Sequence, residues 1–175
     1  MHDDHPLDLQ AIEARVRAVS SGPWASYIEG RDHWSGSDFI MTPGEDIELG
    51  ATDEDQDFIA AARREVPRLV AVARRLRSAA DPSGSEMDAA ELARIEKLAD
   101  RASPGPWTLV ADGTEHPQFP IYIRIHRTRE GGEMDLLPYG ATADDLKFIA
   151  HCRGDIPRLI AEIRRLRAHR EHSGG

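Results

Sequence analysis

ATDEDQDFIAAARREVPRLVAVARRLR (51–77) and ATADDLKFIAHCRGDIPRLIAEIRRLR (141–167) align without a gap, and 15 of the 27 positions are identical. Upstream, LQAIEARVRAVSSGPW (9–24) aligns on LARIEKLADRASPGPW (92–107), with Gly-Pro-Trp and a helical spacing of apolar residues in common. The offset is 83 at Gly-Pro-Trp and 90 in the long blocks, so the second copy holds seven extra residues between them. Residues 78–88, SAADPSGSEMD, are small, polar and turn-forming, the composition of a linker. The chain therefore reads as a duplication: a first copy over 7–77, a linker over 78–88, a second copy over 89–168 and a flexible tail over 169–175. Two copies are too few for a solenoid, and a unit of this size is marginal in isolation. Mutual burial then predicts an α+β fold in which two helix–strands–helix copies pack about a pseudo-two-fold axis, like a fused dimer.

Within each copy the apolar spacing sets the elements. Leu9, Ile12, Val16 and Val19, and again Leu92, Ile95, Ala99 and Ala102, recur at helical intervals. Ser85 with Asp88 predicts a capping box for the second of these helices. Gly22-Pro23 and Gly105-Pro106 are expected to end both, the glycine in the left-handed position after the helix and the proline forbidding continuation. Trp24 and Trp107 then open strands, and each is expected to be a buried anchor between helix and sheet. Short strands are expected at Tyr27-Ile28, Phe39–Met41 and Ile47–Leu49. Residues 121–125 alternate, which puts Ile121, Ile123 and Ile125 on one face and Tyr122 and Arg124 on the other. Met134–Leu137 pairs with that strand across Gly131-Gly132. Thr52 with Asp55, and Thr142 with Asp145, cap the long C-terminal helices. Pro67 and Pro157 are expected to kink or break these helices, with a stop and restart at Gly154-Asp155 in the second.

Composition bounds the chemistry. Of 175 residues 40% are hydrophobic and 30% charged, which suits an ordinary folded chain. No apolar run approaches a membrane span, the start MHDDHPLDLQ lacks signal-peptide chemistry, and a lone Cys152 fits a reducing cytoplasm. The expected location is cytoplasmic, and the expected state is a monomer or homodimer. Charge is segregated: Glu29 to Asp57 carries ten acids and one arginine, whereas Arg63 to Arg77 carries six arginines and one acid. Lys147 to Arg170 carries seven bases against Asp155 and Glu162. A net charge of −9 argues against binding to duplex DNA.

The pattern Gly-Pro-Trp, strands, then F-I-A-x-x-R-x-D-[IV]-P-x-L resembles that of short proteins of actinobacteria and their phages. The second copy matches better, through Ser103–Trp107, Phe148–Arg153 and Asp155–Pro157. The first departs from the pattern, with Ala61 in place of His151 and Glu65 in place of Asp155. A more distant resemblance is to early-region accessory proteins of lambdoid phages. What these resemblances imply is a phage, prophage or mobile-element setting; they imply no activity and no catalytic residues.

Arg74-Arg75-Arg77 and Arg164-Arg165-Arg167 read either as an anion surface or as cations solvating the helix C-termini. His151-Cys152 are neighbours on a helix and do not face each other, so a thiol–imidazole pair is not expected. No His-x-x-x-His or Cys-x-x-Cys spacing is present, nor a Walker, nucleophile-elbow or dinucleotide signature. No catalytic residue, metal or cofactor is expected. The leading expectation is a non-catalytic interaction protein with a protein partner. The alternative is a small anionic ligand, or a signalling nucleotide, held between the copies. The candidate ligand-binding residues are Arg63, Arg153, Arg68, Arg158, Trp24 and Trp107. An unrecognised hydrolase would need carboxylates or histidines assembled from both copies. Finally, Asp55, Ile59 and Arg63 share one helix face with a spacing of four, as do Asp145, Ile149 and Arg153. Crossing at the isoleucines would bring Asp55 to Arg153 and Asp145 to Arg63 as reciprocal ion pairs.

Overall fold

A computed structural model describes residues 7–78, 87–128 and 130–173. Among these residues it is an α+β arrangement of four helices and two small antiparallel sheets. Asp8 starts the first helix, α1 (Leu9–Ala18), by accepting the amides of Gln10 and Ala11, and the helix buries Leu9 and Ile12. Strands β1 (Ala25–Tyr27) and β2 (Phe39–Met41) pair with Ser26 opposite Ile40. They are followed by the long helix α2 (Asp53–Ser78). In the second half α3 (Ala89–Arg101) leads to β3 (Trp107–Val110), β4 (Tyr122–Ile125) and β5 (Met134–Leu136), paired in that order, and then to α4 (Ala143–Ser173). The most extensive packing in the molecule is between α2 and α4. Phe58, Ile59, Ala62 and Leu69 of α2 and Phe148, Ile149, Cys152 and Leu159 of α4 lie in the same buried core.

The expected β4–β5 hairpin forms, with Ile125 opposite Met134. The long helices start as their caps predict: Thr52 Oγ1 accepts from the Asp55 amide, and Thr142 Oγ1 from that of Asp145. Trp24 and Trp107 are both buried.

Other expectations are corrected. The capping box of α3 is made by Asp88 with Glu91; Ser85 lies outside the described residues. Helices α1 and α3 end before the Gly-Pro pairs, at Val19 and Ala102, both extended. Gly22 and Gly105 are not left-handed; each precedes a cis peptide bond to proline. They matter by size, because a Cβ on Gly22 would lie 3.4 Å from Cγ of Arg63, and one on Gly105 3.6 Å from Cγ of Arg153. Pro67 and Pro157 sit inside unbroken helices, with no restart at Gly154-Asp155. The expected tail at 169–175 is helical through Ser173, where Arg170 reaches across to the carbonyls of Arg75 and Leu76 at the end of α2.

Ile47–Leu49 is not a strand of the first sheet alone. Ile47 bridges to Ile40, whereas Glu48 exchanges both backbone bonds with Tyr139 of the second half. Gly140 permits this seam: its φ is +73°, and a Cβ there would meet the Asp46 carbonyl oxygen at 2.0 Å. Tyr122, expected on the polar face of its strand, is fully buried, because the His116 ring packs edge-on against it and Arg124 donates to its hydroxyl at 3.0 Å.

Candidate functional site

Two serines that follow the short helices organise the contact between the halves. Asp55 on α2 is fully buried and accepts the Ser103 amide at 2.5 Å and the Ser103 hydroxyl at 2.8 Å. Asp145 on α4 accepts the same two groups of Ser20 at 2.7 and 2.8 Å, and also the Thr142 amide. The serine carbonyls are taken by arginines from their own halves: Arg63 Nε to Ser20 at 3.0 Å and Arg153 Nε to Ser103 at 2.9 Å. Each expected acid–arginine pair therefore meets through one serine and not as a direct ion pair. A buried residue after a helix must satisfy its N–H and C=O, and the interposed serine gives both charges something to hold.

The aromatic anchors interlock in the same sense. Trp24 packs edge-on to Phe148 with centroids 6.0 Å apart, and Trp107 edge-on to Phe58 at 5.8 Å. Arg153 also lies 5.9 Å over the Phe58 ring. Trp107 Nε1 donates to the Ser103 carbonyl at 3.3 Å, whereas Trp24 Nε1 is buried with no partner among the described residues.

Beside Trp24 a cleft of about 610 Å³ opens between α2 of the first half and α3 of the second. Along α2 its wall runs from Asp57 through Ala60 and Ala61 to Arg63 and Arg64; Arg94 and Leu98 of α3 face them, and Gly22–Trp24 and Ser26 close one side. The buried Glu65 carboxylate organises the basic end. One oxygen accepts from Arg64 and Arg94, and the other from Arg68, which also bonds Glu91 at 2.7 Å. Burial alone would raise the Glu65 carboxyl, but the bonds from Arg64 and Arg94 outweigh it and hold it below the usual glutamate range. The aligned position, Asp155, is served by Arg15 of α1 at 2.7 Å. At the opposite end Asp57 is gripped by both terminal nitrogens of Arg31, at 2.7 and 2.8 Å.

Arg63 differs from its neighbours. Its Nε is committed to Ser20, and its terminal nitrogens make no hydrogen bond or ion pair among the described residues. Burial pushes this guanidinium below its ordinary value, opposed by Asp145. A half-buried cation with open donors favours an incoming anion.

Of the six candidate residues, the structure brings Arg63 and Trp24 to the cleft and places Arg68 behind it in the Glu65–Glu91 network. Arg153 and Trp107 belong to the serine contact of the other half, and Arg158 lies exposed on α4. Sequence reasoning missed Arg64, Arg94 and Asp57. The helix-end arginines are largely neutralised, Arg74 by Glu13, Arg77 and Arg165 by Glu162, and Arg164 by Glu96. Cys152 is buried, which pushes its thiol up, and its Sγ points to the Ile149 carbonyl; His151 is exposed. Glu115, His116 and Asp135 bring ligand atoms within 4.8 Å of one another. The Arg124 guanidinium already bonds both of those acids, so it occupies the place a cation would take. No helix among the described residues is long and apolar enough to cross a membrane.

No family model, no curated protein and no solved structure matches this chain.

Proposed function

We propose that this chain is a non-catalytic binding protein that holds a small anionic ligand in the cleft between its halves. The observation that carries this reading is Arg63, anchored by one nitrogen and open at two, in a cleft it shares with Arg64 and Arg94. We also read the halves as duplicated copies about a pseudo-two-fold axis. The reciprocal contacts Asp55–Ser103 with Asp145–Ser20, and Trp24–Phe148 with Phe58–Trp107, support this. A cytoplasmic location, from the lone Cys152, and a phage-related or mobile-element setting, from the resemblance of the sequence, are part of the proposal.

Thermal unfolding in the presence of inorganic phosphate, sulfate, carboxylates and phosphate esters tests the reading. An anion that binds the folded state raises the midpoint by mass action, by roughly 7 °C at a hundredfold excess over its Kd. Wild type should respond and Arg63→Ala should not. A flat response of wild type to every anion overturns the reading.

One observation favours a protein partner instead. Trp34 is 85% exposed within the acidic segment from Glu29 to Asp57. A basic, apolar surface would suit it, and loss of a co-purifying protein in Trp34→Ala would support that reading.

A further inference from the structure

We propose that the ligand of this cleft is a nucleoside monophosphate or a close analogue, one per chain, with its phosphate at the Arg63 end and a hydrogen-bond donor of its base or sugar at the Asp57 end. This rests on the small-anion reading above and goes further in chemical class, orientation and stoichiometry.

The wall contributed by α2 is ordered: Asp57 is acidic, Ala60 and Ala61 are apolar, Arg63 and Arg64 are basic. Seven residues of helix span about 10 Å, so the cleft is polarised along a length that suits a nucleoside monophosphate and not a bare anion. Its volume of about 610 Å³ falls in the range of organic-ligand pockets. At the basic end donors arrive from two helices. Arg64 gives Nε and one terminal nitrogen to Glu65, and Arg94 gives one nitrogen, which leaves a terminal nitrogen of each without a partner among the described residues, in a cleft that Arg63 lines as well. A carboxylate offers two coplanar oxygens, which one guanidinium fork satisfies. Donors offered by separate side chains match the three oxygens of a phosphate monoester better. The apolar middle, Ala61 against Leu98, takes a ring. Asp57 is kept ionised by the bidentate Arg31, with its carboxyl below the usual range although burial opposes this. It can accept an N–H or O–H from the far end of the ligand.

The second half does not repeat these features. At the aligned positions Asp57 becomes Lys147, Ala61 becomes His151, Arg64 becomes Gly154 and Leu98 becomes Arg15. Arg15 is spent on Asp155. The polarity is lost, and a single ligand per chain follows.

Titration calorimetry of the full chain with inorganic phosphate, phenyl phosphate, the four ribonucleoside monophosphates, adenosine and phthalate tests this. At least one nucleoside monophosphate should bind one per chain and at least about tenfold tighter than inorganic phosphate, with phenyl phosphate between them and adenosine silent. Ala61→Phe, on the cleft wall away from the serine contacts, should remove the advantage of the nucleotide and leave phosphate binding in place. Asp57→Ala should bring the nucleotide down to the level of phenyl phosphate. Equal affinity for phosphate and nucleotides, tighter binding of phthalate, or two ligands per chain each overturns this assignment and leaves the small-anion reading standing. Silence from every anion overturns both.

Discussion

Glu65 sits in the middle of α2 with almost no exposed surface and keeps its charge because Arg64, Arg68 and Arg94 reach it. Its folded carboxyl titrates below the ordinary value of 4.5. The stabilisation is therefore complete above that pH and is lost as pH falls through the folded value. Glu65→Gln should cost roughly 2 kcal/mol at pH 7, the scale of hydrogen bonds to a charged acceptor. The gap to wild type should close as pH drops well below 4.5, as read from urea midpoints along a pH series; a gap that stays constant contradicts this account. The sequence held part of this signal, since 58, 62, 65 and 69 follow the buried helical spacing and place a carboxylate on the core face of α2. The partner Arg94 was not legible, because it comes from the other half. The same limit applies to Asp55 and Arg63. Their shared face could be read from the spacing of four, but the serine that each acid and arginine hold comes from a loop whose position depends on the whole fold.

Proline 157 lies exposed on α4, with fourteen helical residues before it and sixteen after it. A proline inside a helix forfeits one backbone bond and crowds the carbonyl four residues back, at a cost of about 3 kcal/mol. The helix continues because both flanks are held by burial: Ile149 and Cys152 lie on one side and Leu159, Ile160 and Ile163 on the other. Pro157→Ala should return the missing donor to the Arg153 carbonyl. After allowing for the greater freedom of the unfolded chain, stability should rise by about 2 kcal/mol, measured as a higher denaturation midpoint. A lower midpoint would mean that the proline geometry itself is needed to pack α4 on α2. Helix starts were readable because caps are local, as Thr52 with Asp55 and Thr142 with Asp145 show. Helix ends were not. Val19 and Ala102 stop in extended conformation just before serines that are claimed by carboxylates more than forty residues away. The segment Ile47–Leu49 has the composition of a strand, yet its pairing with Tyr139 is a property of the joined halves.

The way the halves hold each other bears on whether either folds alone. Asp55 and Asp145 are buried carboxylates whose serine donors both come across the seam, and Trp24 and Trp107 each pack on a phenylalanine from the opposite half. Without its partner, either half would leave a carboxylate short of its donors and an aromatic ring facing water. Unpaired buried charge and exposed apolar surface are the two changes a small unit tolerates least. Expressed separately, residues 1–82 and 83–175 should each show weak helical circular dichroism and no cooperative thermal transition. Mixed in equal amounts, they should regain helicity and a single transition whose midpoint rises with concentration, as association requires. Asp55→Ala in the first fragment should impair this reassembly, because the Ser103 backbone N–H and hydroxyl that the carboxylate accepts would then be buried without an acceptor. A half that folds cooperatively by itself would show that the reciprocal contacts decorate two self-sufficient units. The cleft would then be a gap between independent domains, and the Arg63 donors would lose the fixed wall of Arg94 and Leu98 that makes them a site.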